Sequence, residues 1–292
     1  MNGRTQASRT TLLFLALSAV AAGAMDWPSP ETRGVSSFGQ NEAGRPSVGY
    51  GFSGEGTVRS ADAGEVVYAR GPQDGIDGFP SPLGSWIAVD HADGIVAVYG
   101  RLADFEAENA KTVVEKGSVL GRAGKSGWTD ESGFFFSILD RSGRKWVNPA
   151  LIIPFVADKK PPVLRSVLLI GRDGIPVNAA LVKSVRQGSY RILVDAVDAE
   201  DRSVAYPLAP QHIICVVNGS EQGALHLETI QTVEGALRVM RIALSPAAAA
   251  YEHVPAYDLG EARLTRGRAH IEITVRDAVG NERSSAFSII VE

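Results

Sequence analysis

Five histidines and one cysteine are the imidazole and thiol inventory of this 292-residue chain, and their positions limit its chemistry. A catalytic zinc ion takes three protein ligands and keeps a fourth position for a water whose acidity it raises. Only His91 falls in the first half of the chain, the others being at 212, 226, 253 and 270. One imidazole cannot supply such a centre. His91 stands in Asp90-His91-Ala92-Asp93-Gly94, where a turn histidine is expected to hydrogen-bond locally. Asp90, Asp93 and Asp130 could offer a carboxylate set to a cation, although acids in turns are ordinarily solvated. Cys215 lies in Ile213-Ile214-Cys215-Val216-Val217 and reads as a shielded strand residue; a single cysteine forms no internal disulfide.

Two further patterns need weighing. Gly121-Arg122-Ala123-Gly124-Lys125-Ser126 has the tail of a phosphate-binding loop, yet that loop requires a glycine five residues before Gly124, where Val119 stands. A turn is the better reading. Asp195, Asp198 and Asp201 recur at intervals of three and could offer hard oxygens to calcium, but the spacing is not that of an EF-hand, and a solvated strand end is the alternative.

The elements that would position these residues are mostly strands. With 45% hydrophobic and 21% charged residues the chain is ordinary globular material, and its length suits two domains. A net charge of −4 gives no sign of a polyanion binder, and nucleic acid is not an expected partner. Arg4 and Arg9 precede the apolar run 12–22, and Ala22-Gly23-Ala24 offers small residues for cleavage, so residues 1–24 read as a secretory signal peptide. The run is short for a membrane span, an uncleaved anchor being the alternative. Cleavage leaves 27 basic against 33 acidic side chains, a charge of −6, in a protein exported to the periplasm or cell envelope with no integral membrane span.

From residue 54 to 154, β-branched runs at 65–69, 85–89, 95–99 and 134–138 alternate with glycine turns, which predicts an all-β first domain at 25–157 with its core at about 47–154. Asp158-Lys159-Lys160-Pro161-Pro162 then supplies a linker at 158–162. Strand-like runs at 163–170, 190–197, 212–217, 237–244, 269–276 and 285–291 predict a two-sheet sandwich at 163–292. Its closing stretch, residues 271–282, resembles the penultimate strand and turn of bacterial immunoglobulin-like or fibronectin-like modules. Ala247 to Ala250 reads as a short helical turn.

Six signatures occur in order in the first domain: Gly64-Glu65-Val66-Val67, the stretch Gly84 to Gly94, Tyr99-Gly100-Arg101-Leu102, the stretch Val114 to Gly121, Gly124-Lys125-Ser126-Gly127 and Val147-Asn148-Pro149. Together they resemble the LytM/M23 peptidase family. The resemblance implies a β-sheet groove that, in active members, cleaves peptidoglycan cross-links with one zinc ion. It also implies where the ligands would stand. The family's His-x-Gly-x-Asp segment corresponds to Ser47-Val48-Gly49-Tyr50-Gly51, its His-Leu-His-Phe strand to Gly133-Phe134-Phe135-Phe136, and its Tyr-x-His-Leu to Tyr99-Gly100-Arg101-Leu102. All five metal or catalytic positions, Ser47, Gly51, Arg101, Gly133 and Phe135, are substituted.

The expected chain is thus all-β, a LytM/M23-like groove domain followed by an immunoglobulin-like β-sandwich. Its expected function is non-catalytic: binding peptidoglycan or regulating a peptidoglycan hydrolase such as an amidase, with Arg101, Phe134 and Phe135 as candidate groove-binding residues. No cofactor is expected. The enzyme-class alternative is a divergent M23 zinc metalloendopeptidase, which alone would call for zinc.

Overall fold

A computed structural model describes residues 25–71, 80–105, 112–153, 158–198, 207–251, 253 and 255–292. Residues 1–24, the expected signal peptide, and Asp201 lie outside the described residues. Among the described residues nearly every regular element is a strand, the exceptions being two 3₁₀ turns and the α-turn Ala248–Tyr251.

In the first half one antiparallel sheet runs in the order Gly64–Arg70, Ser85–His91, Ile95–Phe105, Gly133–Asp140, Tyr50–Ser53, Arg33–Ser36. The period-2 rule sorts its side chains to two faces. On the core face Phe134 and Phe52 stack at 4.5 Å with rings 5° apart, and Trp27 packs edge-on against Tyr50, Phe52 and Phe136 at 5.2 to 6.1 Å. Each such aromatic pair contributes about 0.5–1.5 kcal/mol beyond its buried area. Tyr99 is fully buried on this face and its hydroxyl accepts the N–H of Ala61 at 2.9 Å.

The second half has two sheets. One contains Pro176–Asn178, Val163–Ile170, Gly188–Val197 and Tyr257–Leu264. The other runs Glu282–Val291, Gly267–Arg276, His212–Val217, Ser220–Val233, Ala236–Met240. Val167, Leu169, Ile192 and Val194 of the first sheet are buried with Ile213, Cys215, Ile271 and Ile273 of the second. The expected strands at 163–170 and 212–217 form with those bounds. The expected run 237–244 is instead cut, into Ala236–Met240 and Leu244–Pro246. Ser220–Val233 and Tyr257–Leu264 were not anticipated, because both mix acids, glycine or amides into their alternation.

The Pro-Pro segment does not separate two independent bodies. Lys145–Val147 leaves an edge that the Ser220–Val233 strand covers, pairing Lys145 with Gln231, Trp146 with Ile230 and Val147 with Thr229. An exposed edge is a liability that pairing removes. Gly39, at φ +75°, lies so close to Leu227 that a Cβ there would come within 2.7 Å of Leu227 Cδ1. Ala209 N–H donates to Ser37 Oγ at 2.7 Å. A single hydrophobic core therefore runs through both halves.

Candidate functional site

Gly51 lies directly opposite Phe135, and Phe135 opposite Gly100, so three neighbouring strands meet at one row. Between Leu102, which pairs with Ser85, and Tyr99, which pairs with Ile87, the two residues Gly100 and Arg101 face the single residue Trp86. This bulge bends the strand, and Arg101 takes φ +65°, a region that side chains other than glycine, asparagine and aspartate seldom occupy. Its N–H donates to Leu83 O at 2.6 Å. Strain of this kind costs on the order of 1–3 kcal/mol and gathers where a side chain must be aimed.

Arg101 is aimed at Phe135. The guanidinium carbon stands 5.6 Å from the ring centroid, within cation–π range. Burial lowers the Arg101 pKa from its ordinary value, and the field of Glu42 offsets this in part. The Nε is buried without a hydrogen-bond partner among the described residues. Asp104, a conceivable partner for Arg101, is held by Arg122 through a forked contact that keeps its carboxyl below the usual range.

Phe135 in turn lies over Gly49, where a Cβ would come within 2.6 Å of its Cζ. Ser47 is buried, and its hydroxyl donates to Gly49 O at 3.2 Å. Gly133, two residues along from Phe135, bridges to Gly124. The five positions that the resemblance assigns to metal binding or catalysis thus fall on one side of the sheet or at its end. They offer a hydroxyl already committed to a carbonyl, two glycines, a phenyl ring and a cation, whereas zinc requires imidazole, carboxylate or thiolate. The residues present do not fit the ion.

Phe134 corrects one expectation. It alternates to the opposite face, is 0% exposed and is stacked on Phe52, so it belongs to the core and does not line the groove. Phe135 lies on the other face, opposite Gly51 and with the Arg101 guanidinium carbon over its ring.

The same face continues from Phe135 through Ser137 and Leu139, which pair with Val98 and Val96. Val96, Val98 and Ala88 form a second, smaller apolar cluster with Leu83, Trp86, Leu139 and Trp146 packed on it. Trp86 meets Tyr68 at 4.5 Å, and Tyr68 is 46% exposed. Sequence reasoning passed over Tyr68 and Trp86. Their signal was an aromatic at the outward position of each of two paired strands.

The remaining candidates disperse. His91 is buried, with Nδ1 2.8 Å from Ala63 O, as a turn histidine should be. Asp90 is paired with Arg141, Asp93 sits in a 3₁₀ turn and Asp130 is exposed. They form no ligand group among the described residues. Asp198 gathers with Asp158 and Asp277, not with Asp195. The Asp277 carboxylate already accepts the N–H groups of Val279 and Asn281 and the Asn281 side chain at 2.7 to 3.0 Å.

The model of peptidase family M23 matches residues 46–149, and a second family model, with no activity attached, matches residues 161–292. An uncharacterized protein of Treponema pallidum (strain Nichols) is 32% identical over 126 residues, 39% of this chain and 84% of that protein, which places the two in one family. Among solved structures, the catalytic domain of EnpA, a prophage-encoded M23 protein of Enterococcus faecalis, is similar over 41% of this chain and 90% of its own, at 20% identity and TM-score 0.35. A zinc-containing peptidase of Vibrio cholerae is similar over 47% and 40%, at 21% and 0.37. The SpoIIQ–SpoIIIAH pore-forming complex is similar over 44% and 90%, at 21% and 0.38. No helix among the described residues is long and apolar enough to cross a membrane.

Proposed function

Because residues 46–149 form a peptidase family M23 domain, we propose that this chain is a non-catalytic cell-envelope protein whose groove binds peptidoglycan or a peptidoglycan hydrolase such as an amidase. The observation that carries the reading is the Arg101–Phe135 contact over Gly49 and beside Gly51, at the positions where the family's metal chemistry would stand. A cation on an aromatic floor suits a carboxylate with an apolar stem, such as a peptide of the wall or an acidic partner surface. Tyr68 and Trp86 extend that floor for sugar or side-chain stacking. The second half, read as an immunoglobulin-like arm, acts as a spacer or protein-binding module. Export to the periplasm or cell envelope belongs to the same proposal.

The test is co-sedimentation of the full chain with purified sacculi, together with an amidase assay and a release assay for soluble wall peptides. Binding, or stimulation of the amidase, without peptide release is expected. Chelator-sensitive release that is restored by zinc would overturn the reading in favour of a divergent metalloendopeptidase.

A further inference from the structure

A nitrogen and oxygen ligand set lies in the second half, well outside the groove. His212 begins the His212–Val217 strand and sits directly opposite His226 of the Ser220–Val233 strand. Glu228 follows His226 by two residues, which the pleat places on the same face. Ligand atoms of all three lie within 4.8 Å of one another. The two imidazole centroids are 5.1 Å apart at 65°, and His212 Nε2 is 2.6 Å from Glu228 Oε1. The side chains of His212 and Glu228 are 19% and 38% exposed, so the group is anchored in the sheet yet open to solvent.

We propose that His212, His226 and Glu228 bind one divalent transition ion of the zinc class. Two imidazoles and one carboxylate are a ligand set that zinc accepts, leaving a fourth position for water or an incoming donor. Around an ion held at about 2.0–2.2 Å, tetrahedral ligand atoms stand roughly 3.3 Å apart. The ligand atoms here lie within 4.8 Å of one another, so they must draw in to hold the ion. The His212–Glu228 contact opens as the ion takes the place of the shared proton.

The backbone holds the three in register. Gln211 O accepts Leu227 N–H at 2.9 Å, and Glu228 O accepts Asn148 N–H at 2.8 Å. Arg276, opposite His212 on its other side, is the cation that could repel the ion, but its guanidinium is bound to Glu282. A simple His212–Glu228 hydrogen bond would account for two of the residues and leave the position of His226 unused. The metal site accounts for all three. Through Asn148 the site also touches the joint between the halves, so an ion there would brace it.

The experiment uses the full chain, stripped with chelator and titrated with zinc and separately with cobalt. One ion per chain is expected, with a cobalt visible spectrum of low coordination number and a rise in Tm with zinc concentration. His226→Gln and Glu228→Gln should each weaken zinc binding at least tenfold and abolish that spectrum. Glu228→Gln, at the more exposed position, remains informative if the histidine variant is poorly folded. No uptake at millimolar zinc, or uptake unchanged in both variants, overturns the proposal. Since the ion would be counted in the whole protein, release of wall peptides, and not zinc content, is the readout for the groove.

Discussion

Tyr251 donates its hydroxyl to the carbonyl oxygen of Gly39 at 2.7 Å, across 212 positions of sequence. Both residues are buried, and burial raises the phenol well above its ordinary pKa, so it stays a donor throughout the working pH range. Tyr251→Phe should therefore leave a buried carbonyl unsatisfied and cost about 1–3 kcal/mol. Urea unfolding of the two proteins side by side gives the difference. A variant as stable as the wild type would mean that this bond does not hold the halves together.

The same joint predicts what happens when the chain is cut. Residues 25–157 lose the partner of the Lys145–Val147 strand and the cover over Gly39, while residues 158–292 expose Leu227, which is 0% exposed in the whole chain. Each fragment should melt well below the full chain or aggregate. Two fragments that each melt cooperatively at the full-chain Tm would mean that these contacts do not hold the halves together.

Why the contacts across that boundary are not legible in the sequence is a matter of range. Strands such as Val163–Ile170 were legible because apolar alternation and flanking turns are local. The pairing of Trp146 with Ile230 spans 84 positions and leaves no local trace. Ser220–Val233 was missed for a related reason: Glu221, Glu228 and its three glutamine and threonine neighbours on the outer positions masked the inward Ala224, Leu225, Leu227 and Ile230. Gly51, Phe135 and Arg101 are singled out by the resemblance of their segments to the family's motifs, and the three strands that carry them lie side by side. Which phenylalanine faces the groove depends on strand parity, and the residues that fix it, Gly51 and Gly100, lie on other strands.

Asp195 gives a prediction in pH. Burial raises its carboxyl pKa above the ordinary value, with Arg165 offsetting part of the rise. A carboxyl with a raised folded-state pKa costs nothing while it is protonated in both states, and it costs stability once pH rises through the folded value. Asp195→Asn should therefore raise Tm at pH 7, and the gain should fade as pH falls below about 4. A gain that is constant from pH 7 to pH 3 would place the effect elsewhere.

Cys215 is 0% exposed, and desolvation raises its thiol to about 12. Thiolate is the reacting species, so alkylation of the native protein at pH 8 should be slow and should follow opening of the sheet. Full labelling is expected only in denaturant. Rapid stoichiometric labelling of the folded chain would contradict this burial.

Arg101 carries the most direct test of the groove, because its backbone and its side chain can be separated. Its φ of +65° is one that glycine adopts without penalty, so Arg101→Gly should keep or slightly raise stability while removing the cation. Arg101→Lys keeps the charge but loses the planar face that meets Phe135 at 5.6 Å. If the groove binds through a carboxylate on an aromatic floor, Arg101→Gly should weaken binding to sacculi or to the amidase by about 1–3 kcal/mol. Arg101→Lys should fall between it and the wild type. Phe135→Ala is less suited to the purpose, since a phenylalanine 8% exposed also contributes about 3–5 kcal/mol to packing. Sedimentation isotherms and thermal melts on the same preparations give both quantities. Binding unchanged in Arg101→Gly, with the fold intact, would leave the Arg101–Phe135 contact as structure alone and shift the binding function to the Tyr68–Trp86 surface or to the second half.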